Sequence, residues 1–242
     1  GIFAQKNICE SSKELRSLTD KIICLPEIKN IEGAIFDMDG TLLDSMGVWE
    51  TVGVRYLLKK GIKAKDNLWE QLKPLTTTEV AKIFQEEYNV KDDLKTIVKG
   101  IQDIVYESYT STVQVKPYVI ELLQKLKSNN CKMAVATATD KNCVIAALER
   151  LNLTQFFEGI FCCTDYDTSK ASNKIYDIAL NALNTPKENT IIFEDALHAI
   201  QTAKNANYKV LAIQDDYAKD DELMIRNLAD WYIEDFSQLL KN

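Results

Sequence analysis

The sequence predicts an α/β chain: a parallel sheet covered by helices on both faces, with a block of helices inserted after the first strand. Three observations predict it. Ala34-Ile35-Phe36 is a short apolar run that stops abruptly in Asp37-Met38-Asp39-Gly40-Thr41, which reads as a buried strand entering a tight acidic turn. Residues 45–112 then carry helical periodicity almost without a break. From Pro117 onward, apolar strands alternate with amphipathic helices, the pattern of parallel strands joined by crossover helices.

Taken in order, Leu15, Leu18, Ile22 and Ile23 have the spacing of a short amphipathic helix ended by Pro26. Residues 1–30 are set apart as an N-terminal extension. A strand ends at Phe36. Ser45 is placed to cap a helix that carries Trp49, Val52, Tyr56 and Leu57 on one face, with Gly61 just past its end. Thr76-Thr77-Thr78-Glu79 has the form of a capping box ahead of Val80, Ile83 and Phe84. Leu94, Ile97, Val98, Ile101, Ile104 and Val105 mark a longer amphipathic helix.

After Pro117 a helix around Leu122, Leu123 and Leu126 leads to a strand from Met133 to Ala136. Helix 142–151 precedes strand 159–163, and helix 172–183 precedes strand 190–193. Helix 196–206 precedes strand 208–213, and Trp231-Tyr232-Ile233 is a last strand. The expected division assigns 1–44 and 114–242 to a doubly wound, Rossmann-like core and 45–113 to the helical insert.

Bulk properties narrow the function. The chain has 242 residues, 46% hydrophobic and 27% charged, as in an ordinary globular protein long enough to bury a large core. A net charge of −7 with no Lys or Arg run speaks against nucleic acid or an anionic membrane as partner. No apolar stretch approaches a membrane span, and the first residues lack the apolar core of a secretory signal. Six cysteines without metal-ligand spacing suit reduced thiols, so a cytoplasmic location is expected. The single histidine, His198, leaves no basis for Ser-His-Asp chemistry or a multi-histidine metal site.

The chemistry lies at the strand ends. Ligands of parallel α/β sheets sit beyond the carboxyl ends of the strands. Asp37 and Asp39 follow the first strand, Thr137 the strand at 133–136, and Glu194-Asp195 the strand at 190–193. The Glu194-Asp195 pair is also expected to begin a helix, where the dipole favours negative charge. Lys170 precedes the helix expected at Ser172. One edge thus gathers four carboxylates, a hydroxyl and an ammonium. Carboxylates so crowded imply a hard, oxygen-seeking cation such as Mg2+, and Lys170 with the turn N–H groups suits an anion. Cation, anion cradle and a free carboxylate together suggest phosphoryl transfer.

In order and context, Asp37-Met38-Asp39-Gly40-Thr41, Thr137, Lys170 and Glu194-Asp195 resemble the four motifs of the haloacid dehalogenase superfamily, from about residue 31 onward. The helical insert resembles that family's type 1 cap. The resemblance implies an Mg2+-dependent phosphomonoester hydrolase acting on a small phosphorylated metabolite. By that resemblance Asp37 is the nucleophile that becomes an aspartyl phosphate, and Asp39 is the acid/base. Thr137 and Lys170 bind the phosphoryl oxygens. The Asp37 side chain, the Asp39 carbonyl and Asp195, with Glu194, hold Mg2+.

Two positions depart from the family pattern: Ala196 stands where a serine is frequent, and Ala199 where a glycine is frequent. Lys174 competes with Lys170 for the third motif. Lys170 fits better, lying five and six residues before the Ile175-Tyr176 pair that opens the buried face of the next helix.

Other readings stay open. A β-phosphoglucomutase-like phosphosugar mutase shares cap and motifs, but Trp49 occupies the place of its cap histidine, counted from Asp37. A 2-haloacid dehalogenase usually lacks the second acidic residue, here Asp39. A phospho-acceptor receiver domain has no helical insert. The substrate and the oligomeric state are not legible in the sequence.

Overall fold

The computed structural model describes residues 25–241. The helix expected at residues 15–23 lies outside them. The described residues divide into two compact units, one of 25–43, 115–140 and 152–241, the other of 44–114 and 141–151.

The first unit is a six-stranded, all-parallel sheet. Its strands are β1 (Gly33–Phe36), β4 (Lys132–Thr137), β5 (Gly159–Cys162), β6 (Thr190–Glu194), β7 (Lys209–Ile213) and β8 (Trp231–Ile233). The spatial order β5-β4-β1-β6-β7-β8 puts β1 at the centre, with Phe36 opposite Val135 on one side and Phe193 on the other. The order reverses beside β1, which makes its carboxyl end the crevice where such sheets take ligands. Both faces of the central strands are buried, so β1 and β4 read as continuous apolar runs without alternation. Phe36 and Phe193 stack across the strands with ring centroids 4.4 Å apart. One face packs Ile35, Ala134, Ile192 and Val210 against Ile175, Tyr176, Ala179, Ile200 and Ala203 of the crossover helices.

The remaining strands are two residues each. β2 (Leu43–Asp44) and β3 (Gln114–Val115) pair as a small ribbon where the chain leaves the first unit and returns to it.

The second unit is helical. Its elements are α1 (Met46–Lys59), α2 (Leu68–Leu72), α3 (Thr77–Tyr88), α4 (Leu94–Ser111) and α6 (Lys141–Arg150). The capping box at Thr76 forms as expected: its hydroxyl accepts from the Glu79 N–H at 3.3 Å, and the Glu79 carboxylate accepts from the Thr76 N–H at 2.7 Å. Gly61, at φ 73°, follows α1, and the Ile62 N–H reaches back to the Leu57 carbonyl. Ser45 stands at the N-cap of α1, but its αR backbone gives the helix no side-chain cap bond. Arg150 ties α6 to α4 by donating to the Tyr109 and Val113 carbonyls.

The other helices of the first unit are α5 (Val119–Ser128), α7 (Lys174–Leu183), α8 (Leu197–Asn205), α9 (Glu222–Leu228) and α10 (Ser237–Leu240). Two expected boundaries move. α7 begins at Lys174 rather than Ser172, because hydroxyls of Ser169 and Ser172 accept the N–H groups of Ala171 and Lys174 and hold a turn there instead. Glu194 is the last residue of β6, and α8 starts only at Leu197 with Ala196 as N-cap, so Glu194 and Asp195 precede the helix instead of beginning it. The small Ala196 and Ala199 leave that helix start intact, with the Ile200 N–H bonded to the Ala196 carbonyl. No helix of the described residues is long and apolar enough to cross a membrane.

Candidate active site

The carboxyl end of β1 is built by backbone chemistry before any side chain contributes. The Asp37 N–H donates to the Phe193 carbonyl, which aligns Asp37 with the end of β6. The Met38 carbonyl accepts from Thr41, Leu42 and Leu43, closing a tight turn. That turn needs Gly40 for two reasons. Its φ is 81°, a region that L residues resist, and a Cβ there would lie 2.2 Å from Asp195 Oδ2. The glycine therefore lets the loop after β6 approach the loop after β1.

Asp37, Glu194 and Asp195 converge, with one carboxylate oxygen from each lying within 4.8 Å of the others. All three are buried. Lys170 joins them from the loop before α7, its Nζ 2.5 Å from both Asp37 Oδ1 and Glu194 Oε1. Thr202 of α8 holds that loop by donating to the Lys170 carbonyl at 2.7 Å. Lys174 points elsewhere and donates to the Tyr166 carbonyl at 2.8 Å. Of the two lysines, only Lys170 reaches the acidic cluster.

Charge at the cluster is unbalanced, with three carboxylates facing one ammonium. Burial opposes the charged form of Lys170, but Asp37 and Glu194 outweigh it and raise its pKa well above the usual lysine value. Burial, then the charge of Asp37, pushes Glu194 up to about 7, against the pull of Lys170 and Tyr176. Burial, then the charges of Asp37 and Glu194, raise Asp195 well above the usual carboxylate range. A single hydroxyl lies between two of the acids: Thr41 Oγ1 is 3.1 Å from Asp37 Oδ2 and 3.2 Å from Asp195 Oδ1. One hydrogen cannot serve both fully, so the pair keeps a strong demand for positive charge.

Asp39 and Thr137 lie at the same edge. Asp39 is half-buried, and its carboxylate accepts a hydrogen bond from the hydroxyl of Thr139. Thr137 ends β4 and is buried, and its hydroxyl accepts the Thr139 N–H at 3.0 Å. His198 lies on the first turn of α8 and is exposed. Trp49, in the helical unit, donates its indole N–H to the Tyr109 hydroxyl at 3.2 Å.

Sequence reasoning gave no role to three groups that the structure places here. Thr41 was visible only as part of the first motif. Thr139 showed only as a second hydroxyl two residues after Thr137. Tyr176 read as a core aromatic, yet its buried hydroxyl donates to Glu194 Oε1 at 2.8 Å.

The donor set is all hard oxygen. It suits a divalent cation of the Mg2+ kind and offers nothing to a soft metal. Glu194 Oε1 is already engaged by Lys170 and Tyr176, and its Oε2 accepts the Asp195 N–H. Asp37 and Asp195 share the single Thr41 hydrogen, which leaves them the less satisfied side-chain donors.

Comparison with known proteins places this geometry in a family. Residues 34–213 match the model of the haloacid dehalogenase-like hydrolases. A phosphorylated carbohydrates phosphatase of Thermotoga maritima is 27% identical over 176 residues, covering 73% of this chain and 82% of the relative. The validoxylamine A 7'-phosphate phosphatase of Streptomyces hygroscopicus is 25% identical, covering 72% of this chain and 81% of its own. Among solved structures, CbbY from Rhodobacter sphaeroides in complex with phosphate has a TM-score of 0.72 at 21% identity, covering 86% of this chain and 96% of that one. A β-phosphoglucomutase from Clostridium difficile has a TM-score of 0.66 at 22% identity, over 86% and 93%. The structural likenesses show the same fold, and the family match spans the strands that carry every acidic residue of the cluster: the chain belongs to the haloacid dehalogenase-like hydrolase family.

Proposed function

We propose that this hydrolase is an Mg2+-dependent phosphatase that cleaves a phosphomonoester of a small metabolite through an aspartyl phosphate on Asp37. One observation carries the reading. The Asp37 side chain is held between Lys170 and Thr41 beside Asp195, while a second acidic side chain, Asp39, is held apart on Thr139. Two acids in unlike surroundings suit two roles.

In this reading an Asp37 oxygen attacks phosphorus in line, and the bond to the ester oxygen breaks. Asp39 gives its proton to the departing alkoxide, which leaves as an alcohol. Lys170 and Thr137 hold the phosphoryl oxygens while charge shifts among them. Asp39, now a carboxylate, then takes a proton from a water whose oxygen attacks phosphorus. Inorganic phosphate leaves and Asp37 is regenerated. The Asp37 and Asp195 carboxylates, the Asp39 carbonyl and, as a further donor, Glu194 would hold Mg2+, which supplies positive charge for the phosphoryl group. Glu194 also fixes Lys170 through its 2.5 Å ion pair.

The substrate class takes support from the Thermotoga relative, a phosphatase of phosphorylated carbohydrates. The helical unit carries none of the groups above, and we assign substrate choice to it. A mutase would need a proton-transferring group at Trp49, whose indole is instead bonded to Tyr109. Dehalogenation would leave Asp39 without a task.

The test is phosphate release from sugar phosphates, phosphoglycolate and nucleotides, with Mg2+ and with EDTA. Turnover should require Mg2+ and vanish in Asp37→Asn. Wild-type turnover by that variant would disprove the mechanism. Conversion of β-glucose 1-phosphate to glucose 6-phosphate, primed by the bisphosphate, would make the protein a mutase.

A further inference from the structure

Asp39, as read above, must both give and take a proton, so its carboxyl has to be aimed. Gly40 beside it adopts a left-handed conformation, and Asp39 is only half-buried. A hydroxyl from the loop after β4 holds the carboxylate: Thr139 donates to Asp39 Oδ2 across a separation of 100 residues.

Thr139 is itself fixed. Its backbone N–H donates to Thr137 Oγ1 at 3.0 Å, closing a hydroxyl turn at the end of β4. The turn sets two tasks at once. The Thr137 oxygen is used as acceptor, so its hydrogen is left to be donated outward. The Thr139 hydroxyl has one hydrogen, and Asp39 Oδ2 receives it. We propose that Thr139 is the positioning residue of the acid/base, holding the Asp39 carboxyl in the orientation that serves the ester oxygen and later the water. The inference rests on the assignment of Asp39 made above.

The loop is not part of the core, since Ala138 and Asp140 are exposed and Thr139 is half-buried. Replacing its hydroxyl by a methyl group therefore tests aim rather than folding. General acid–base catalysis contributes about 10²–10⁴-fold. Misaiming the group should forfeit about 10-fold or more of that.

The experiment measures kcat and KM with p-nitrophenyl phosphate and with glucose 6-phosphate in Mg2+, for wild type, Thr139→Val, Thr139→Ser, Asp39→Asn and the Asp39→Asn/Thr139→Val double variant. The valine variant should lose about 10-fold or more in kcat on glucose 6-phosphate, whose alkoxide needs a proton, with KM within about 3-fold. Serine should restore most of the turnover, and valine should add less than about 2-fold to the loss in Asp39→Asn. A valine variant with kcat within about 2-fold of wild type, beside an impaired Asp39→Asn, overturns this inference alone. A serine variant as impaired as valine, or a raised KM at unchanged kcat, also overturns it, the latter making Thr139 a substrate contact. Wild-type turnover in Asp39→Asn, or no phosphate release by the wild-type protein from either ester, removes the parent assignment and this inference with it.

Discussion

Replacing Asp195 by asparagine should stabilise the metal-free protein and destabilise it relative to wild type once Mg2+ is present. The reason is the arrangement of charge. One oxygen of Asp195 lies within 4.8 Å of one from Asp37 and one from Glu194. At an effective dielectric of about 20, two like charges at that distance repel by about 3.5 kcal/mol. Lys170 contacts the other two acids at 2.5 Å, whereas the hydrogen bond to Asp195 comes from the Thr41 hydroxyl. Asp195 avoids part of the repulsion by taking up a proton, as its raised pKa indicates. Removing its charge at pH 8 is then expected to gain about 1–3 kcal/mol. For a protein of this length that is about 2–12 °C in Tm.

Magnesium should reverse the order. A ligand at a thousand times its Kd stabilises by about 4.1 kcal/mol, which corresponds to about 8–16 °C here. Thermal melts followed by circular dichroism, in EDTA and in MgCl2 at matched ionic strength, should therefore cross. Asp195→Asn melts above wild type without metal and below it with metal. Asp39→Asn, altered outside the cluster, should keep the wild-type response to Mg2+. If the wild-type Tm were the same in both buffers, or the asparagine variant the less stable protein in EDTA, the cluster would not be a cation site held under repulsion.

Further outcomes follow from neighbouring features. Glu194 at about 7, and Asp195 raised well above the usual carboxylate range, have folded pKa values above their unfolded ones, so the stability Glu194 contributes is present at low pH and lost as pH rises through about 7, with Asp195 acting in the same direction; the Mg2+-induced gain in Tm should accordingly be larger at pH 8 than at pH 6. Lys116 Nζ sits 2.7 Å from Asp215 Oδ2 and 3.0 Å from the Gln214 carbonyl, all but buried, so Lys116→Met should cost about 3–5 kcal/mol in urea unfolding and Lys116→Met/Asp215→Leu should recover most of it. Gly40→Ala places a methyl group 2.2 Å from Asp195 Oδ2 at a φ of 81°, and should cost at least about 1–3 kcal/mol and erase the Mg2+-dependent Tm shift. Burial pushes the Cys131 thiol up to about 12, so peptide mapping after iodoacetamide at pH 8 should find Cys131 unmodified in the folded protein and alkylated in urea.

Much of the fold was legible because burial imposes a pattern on the residues that undergo it. The central strand is buried on both faces, so Ala34-Ile35-Phe36 had to be continuously apolar, and the change to polar residues had to mark its end. The capping box at Thr76 was legible because both of its hydrogen bonds close within three residues. What escaped notice has no local signature. β2 and β3 are two residues each, too short for any period, and exist because two distant segments meet. The start of α7 was misplaced because serine hydroxyls can cap a turn as readily as a helix, and here Ser169 and Ser172 do the former.

The same distinction explains the site. Residues that must be acidic, such as Asp37, Asp39 and Asp195, stand out in sequence because a carboxylate at a strand end resists any apolar explanation. Residues that hold them do not. Thr41, Thr139 and Tyr176 each act through a hydroxyl, and each has an adequate role as a turn or core residue that hides the second one. Tyr176 shows this most plainly: its ring is wholly buried in the apolar layer beneath the sheet, while its oxygen donates to the carboxylate that fixes Lys170. A Tyr176→Phe variant keeps the ring and loses the donor. It should therefore fold as wild type does, within about 1–2 kcal/mol, and alter the one contact that packing cannot supply, the aim of Glu194 on Lys170. If phosphate turnover and its KM were both unchanged in that variant, the hydroxyl would be serving the core alone, and the chain of contacts from Tyr176 through Glu194 and Lys170 to Asp37 would be packing rather than positioning.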